Sequence, residues 1–153
     1  MTYNKDNIFA KILRGEIPCK KIYEDEYVLA FHDVNPQKKV HALIIPRGAY
    51  IDLDDFSSKA SEKEISGLIK GISIVAKKIG VSDEVKGGGY RSLVNIGENG
   101  GQEVPHLHFH ILGGEKVGKM VSKRSSSFGI LKKSSRILLL VFKLLIVKLT
   151  LLE

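Results

Sequence analysis

The stretch VPHLHFHILGG, residues 104–114, alternates His106, His108 and His110 with Leu107, Phe109 and Ile111. Successive side chains of a β-strand point to opposite faces. HLHFHIL (106–112) therefore predicts a strand with three imidazoles on one face and an apolar back on the other. The apolar back would pack into a core and hold the imidazoles in fixed orientation. These three come from only five histidines in 153 residues. Such a face admits a metal site, nucleophilic or general acid–base catalysis, or a polar surface of structural histidines. Alternation alone leaves all three open.

Just upstream, GENGGQ (97–102) contains Gly97, Gly100 and Gly101. Glycine lets backbone N–H groups approach an anion closely, although a plain hairpin loop is the simpler reading of such a turn. Followed at once by three imidazoles, it suggests phosphorus chemistry, because histidine is a competent nucleophile toward an activated phosphate.

Further outward, KIYE (21–24), VLAFHD (28–33), HALIIP (41–46) and YRSLVN (90–95) read as four more short strands. DNIFAKILRG (6–15) reads as a short helix capped by Asp6, with an apolar stripe and Gly15 as a stop. The long helix begins at the capping box Ser61-Glu62-Lys63-Glu64. Ile65, Leu68, Ile69, Ile72, Val75, Ala76 and Ile79 then recur at helical spacing up to Gly80. The expected fold class is α+β: a five-stranded, mainly antiparallel sheet with one long and one short helix.

Length and a 43% hydrophobic fraction predict one globular domain. Cys19 stands alone, which excludes an internal disulfide and suits a reducing, cytoplasmic compartment. The N-terminus has no basic region followed by an apolar one, so no signal peptide is expected. The net charge of +7 is unevenly spread. Residues 1–121 are nearly neutral, whereas Lys123, Arg124, Lys132, Lys133, Arg136, Lys143 and Lys148 crowd the last 32 residues against Glu153 alone. A nucleic-acid-binding stripe across the domain is not supported. The apolar run 137–153 is short for a membrane span and broken by two lysines. Residues 122–153 read as a membrane-surface helix, a partner-binding helix, or an extension without a selected role; composition favours the last.

HLHFHIL resembles the His-φ-His-φ-His-φ-φ signature of the histidine triad (HIT) superfamily. The resemblance extends through IFAKILRGEIP (8–18), VLAFHDVNPQ (28–37), HALIIP (41–46), LVNIGENGGQEVPH (93–106) and LHFHILGG (107–114), in family order, and is to the bacterial type of the Hint branch, the purine nucleoside phosphoramidase group. It implies a HIT domain over 1–121, dimeric through a continuous sheet, that cleaves purine nucleoside phosphoramidates and, in the same branch, aminoacyl adenylates. A nucleotide-binding adaptor with negligible turnover is the alternative. The implied partner is a purine nucleotide of AMP or GMP type.

By the same resemblance His108 attacks the α-phosphorus and forms a nucleotidyl-histidine, and His110 contacts the phosphate and assists the leaving group. His106 and His41 form a supporting hydrogen-bonded pair. Asp33 holds the ribose hydroxyls, with Phe31 and Val34 beside the base. Asn95, Gly101 and the backbone of Gln102, Glu103 and Val104 line the phosphate site. On residues alone, Phe31 and Val34 would be core, His32 structural, and Asp33 the start of a turn before Asn35-Pro36.

The chain departs from the pattern at three places. Asn7-Ile8-Phe9-Ala10 replaces the Cys-x-x-Cys of many bacterial relatives, so no metal and no cofactor is expected. Glu103 stands where animal members have a serine near the leaving group. The family chain would end near Val121, leaving 122–153 as an addition.

Overall fold

Helix boundaries follow from where backbone donors at the chain's turns find partners. The structure is a computed structural model describing residues 2–121; the tail readings lie outside the described residues. Helix α1 (Ile8–Leu13) is capped by buried Asn7, whose side-chain oxygen accepts the Ala10 N–H at 2.9 Å. The expected cap, Asp6, is one residue too early. Asn7 also donates its Nδ2–H to the Asn4 carbonyl at 2.7 Å, which an acceptor-only carboxylate could not do.

Helix α3 (Glu62–Lys78) starts as the sequence predicts. Ser61 accepts the Glu64 N–H, and the Glu64 carboxylate accepts the Ser61 N–H at 2.9 Å. Its buried residues are Leu68, Gly71, Ile72, Val75 and Ala76, so most of the expected stripe faces the core. Ile65 and Ile69 do not: they are 37% and 57% exposed. A second short helix, α2 (Leu53–Lys59), lies outside the sequence expectation. It buries only Phe56 and is held by the Asp52 carboxylate accepting the Asp55 N–H, too small an apolar face to give a periodic signal.

Strands β1 (Lys21–Glu24), β2 (Val28–His32), β3 (Val40–Pro46), β4 (Arg91–Val94) and β5 (Phe109–Gly113) form one antiparallel sheet in the order β1-β2-β3-β5-β4. Asp33, Tyr90 and Asn95, expected at strand ends, fall just outside the observed strands. The larger correction concerns β5, which begins at Phe109 rather than His106. The Leu107 N–H donates to the Tyr50 carbonyl and the His106 N–H to Val104, each at 2.8 Å. The backbone there follows turn geometry after Pro105 and joins the ladder only where Phe109 meets Ile44 and Val94.

The sheet has two covered faces. On one, α3 packs Leu68, Ile72, Val75 and Ala76 against Val28, Ala30, Ala42, Ile44 and Ile111. Gly71 makes the approach close: a Cβ there would sit 2.8 Å from Ile44 Cδ1 and 3.2 Å from Val28 Cγ2. On the other face Phe9 of α1 joins Leu29, Phe31, Leu43 and Ile45. Burying one such side chain is worth about 1.5–3 kcal/mol, so both layers hold the sheet rigid under the histidines. The compact unit ends at Val117. No helix of the described residues is long and apolar enough to cross a membrane.

Candidate active site

The β3–β5 register builds the first part of the site. Leu43 lies opposite His110, and His41 opposite Leu112. His41 and His110 are therefore diagonal neighbours on one sheet face, a spacing that aromatic rings can bridge. Their ring centroids are 5.2 Å apart, and His41 Nε2 lies 2.9 Å from His110 Nδ1. This corrects the expected His41–His106 pair. His106 lies against the far end of β3, with Nε2 3.0 Å from the Pro46 carbonyl. Five residues of strand, about 16 Å, separate Pro46 from His41.

Hydrogen-bond partners assign the tautomers around the site. Gln37 donates its N–H to His41 Nδ1 at 3.2 Å, so neutral His41 carries its proton on Nε2. The Asn35 carbonyl exerts a minor opposing pull on His41, but the Gln37 N–H is the group in hydrogen-bond geometry. His41 Nε2–H donates to His110 Nδ1 and lies 3.4 Å from Asp33 Oδ2. His110 must then hold its own proton on Nε2, and that atom is buried without a partner. His108 donates Nδ1–H to the His106 carbonyl at 2.7 Å. Its Nε2 lone pair makes no hydrogen bond among the described residues. His108 and His110 rings sit 5.1 Å apart, at 66°. The site thus presents a free imidazole lone pair beside an unpartnered N–H donor.

Electrostatics keep these rings neutral. Burial pushes His106 and His110 down to about 4. At His110, repulsion from His108 and His41 adds to burial and Asp33 opposes it. Burial also lowers His108, against the pull of the His106 carbonyl, Asp33 and Glu103. His41 is lowered by burial against Asp33. An unprotonated imidazole is the nucleophilic form, so the environment favours attack at neutral pH.

The remaining expected residues divide. Phe31 is buried, edge-on to Phe9, which itself packs edge-on against His108. Val34 is 99% exposed. Asp33 both starts a turn, accepting the Asn35 N–H at 2.8 Å, and turns its other oxygen toward His41. Gly101 takes a φ of +77°, a left-handed conformation that favours glycine. Gln102 braces this loop: its carbonyl accepts the Gly97 N–H and its amide donates to Ile51 and Val104. The Asn95 amide reaches the Gly101 carbonyl only at 3.5 Å. Val104 packs against the Phe9 layer, and Glu103 is exposed while acting on His108 through space. His32 ends β2 opposite Ala42, half-buried, and burial lowers its pKa. Cys19 packs at the edge of the Phe9 layer, and burial pushes its thiol up, away from thiolate reactivity.

Asp33, His41 and His110 each bring one possible ligand atom within 4.8 Å of the others, close enough for a shared cation. The hydrogen bonds favour a proton instead. With Gln37 donating to Nδ1, neutral His41 has no lone pair at Nε2 to give. Sequence reasoning also missed Tyr3, whose hydroxyl bonds His106 Nδ1 from 103 residues away. No local signal marks that contact.

A family model described as the HIT domain matches residues 14–117. Among curated proteins, the chain is 53% identical over 122 residues to an uncharacterized HIT-like protein of Azospirillum brasilense, covering 80% of this chain and 97% of that protein. It is 37% identical over 120 residues to the purine nucleoside phosphoramidase of Escherichia coli, covering 78% of this chain and 97% of the relative. A solved HIT family hydrolase from Clostridium thermocellum superposes with a TM-score of 0.66 at 34% identity, over 78% of this chain and 99% of its own.

Proposed function

The chain belongs to the HIT-domain family, and from that premise we propose a nucleotide hydrolase that cleaves purine nucleoside 5′-phosphoramidates through a nucleotidyl-histidine. The observation that carries this reading is the tautomer pair: His108 Nε2 offers a lone pair while His110 Nε2–H stands buried and unpartnered.

In this reaction His108 Nε2 attacks the α-phosphorus, a P–N bond forms to the histidine, and the P–N bond to the leaving amine breaks. His110 Nε2–H contacts the phosphoryl group and passes its proton to the leaving nitrogen, so that a neutral amine departs. The proton released by the attacking water later restores Nε2–H, and His41 and Asp33 hold His110 in the donor tautomer. Water then cleaves the nucleotidyl-histidine, restores the His108 lone pair and releases the nucleoside monophosphate. Aminoacyl adenylates, with an equally activated α-phosphorus, fit the same attack. His106 supports the site from behind through its carbonyl. Asp33 and Val34 contact the ribose and base, and Asn95 with the 101–104 backbone lines the phosphate. Residues 1–121 form the catalytic domain, with 122–153 an appendage to which no step is assigned. Exposed Ile65 and Ile69 on α3, with β4 at the sheet edge, support association into a homodimer.

Purified protein should release AMP from an adenosine phosphoramidate, and His108→Ala should abolish turnover while still binding AMP. Equal activity in the two proteins refutes the assignment of His108. Tight AMP or GMP binding by the wild type with negligible turnover would establish the adaptor reading instead.

A further inference from the structure

We propose that Tyr3, which lies outside the 14–117 family match, is a positioning residue that holds the nucleophile's tautomer through His106. The proposal rests on His108 being the nucleophile.

His106 is fully buried, and its Nε2–H donates to the Pro46 carbonyl. The neutral ring therefore presents a lone pair at Nδ1, and the Tyr3 hydroxyl is the donor that meets it. Tyr3 also packs edge-on against this ring, with centroids 5.6 Å apart. Phe9, from the same N-terminal segment, packs edge-on against both His106 and His108. The carbonyl of this doubly anchored residue accepts His108 Nδ1–H at 2.7 Å. That bond keeps the His108 lone pair on Nε2, facing the reaction rather than the backbone.

Without the hydroxyl, a buried lone pair has no partner. His106 must rotate or admit water, and its carbonyl shifts with it. His108 can then place its proton on Nε2, the tautomer that cannot attack. Because the hydroxyl bond and the ring contact of Tyr3 both go to His106, the loss falls on turnover rather than on substrate binding.

The test uses the full chain with Tyr3→Phe, read in two ways. Long-range 1H–15N correlation of the histidine rings reports tautomers without substrate. Steady-state release of AMP from adenosine phosphoramidate separates kcat from KM. The wild type should show His108 wholly as the Nδ1–H form. Tyr3→Phe should show a mixture, with kcat down about tenfold, below the hundredfold that a 1 Å misplacement can cost, and KM within about twofold. A His108 that stays wholly Nδ1–H in Tyr3→Phe, with kcat within about twofold of wild type, overturns the proposal. If Tyr3→Phe fails to fold, 3-fluorotyrosine at position 3 keeps the packing and sharpens the donor. It should shift the His106 Nδ1 resonance, and an unmoved resonance overturns the proposal. Wild-type protein inactive on phosphoramidates would refute the proposed function, while the tautomer spectra still decide the role of Tyr3.

Discussion

Acidification from pH 7 to pH 5 should destabilise this fold through its buried histidines. In the unfolded chain a histidine takes a proton near 6.5, whereas His106 and His110 in the fold do so only at about 4. Between these values the unfolded state binds more protons, so stability falls as pH falls through the window. Each such group costs about 2 kcal/mol at pH 5 but only about 0.2 kcal/mol at pH 7. Part of the His110 shift is repulsion from His108 and His41, so the pair together is taken at roughly 3 kcal/mol. Lowered His108, His41 and His32 act in the same direction. Asp25, Asp55 and Glu64 are held below the usual carboxylate range by their hydrogen bonds. Their stabilisation is present above that range and is lost only at lower pH. The interval from 7 to 5 thus isolates the imidazoles. Urea unfolding followed by circular dichroism should show the midpoint falling by about 2 M over this interval, taking a slope of about 1.5 kcal/mol per M. His106→Gln removes one of the two strongest groups and should roughly halve the fall. A midpoint unchanged between pH 7 and pH 5 would refute the claim that these rings are buried and neutral.

Two further outcomes follow from packing and exposure. Gly71→Ala should destabilise by about 1–3 kcal/mol in thermal or urea unfolding, because its methyl would press on Ile44 and Val28 and overpacking outweighs the gain in helix propensity of about 1 kcal/mol. Val34→Ser should leave stability within about 0.5 kcal/mol, since Val34 is 99% exposed, yet weaken AMP binding measured by calorimetry several-fold if Val34 lies beside the base; unchanged affinity removes Val34 from the nucleotide site.

Local rules made much of this molecule legible. The capping box at Ser61 and Glu64 closes as the sequence predicts, because both partners lie within one helical turn. Leu107 and Ile111 enter the core, as their alternation with the histidines requires. Alternation did not locate the start of β5, since Pro105 and the bond from Leu107 to Tyr50 keep the backbone out of the ladder until Phe109. Helix α2 escaped because one buried phenylalanine makes no periodic stripe. The cap of α1 moved from Asp6 to Asn7 because the site requires a donor as well as an acceptor.

The sequence by itself determined which residue types could do the chemistry: three imidazoles at alternate positions, backed by apolar side chains and preceded by a glycine-rich turn. Their division of labour was decided only by the tertiary structure. Strand register joined His41 to His110 across 69 residues, and the N-terminal segment brought Tyr3 to His106 across 103. An imidazole's role depends on which nitrogen holds the proton. That is set by the partner each nitrogen meets in the fold, and no spacing along the chain specifies it.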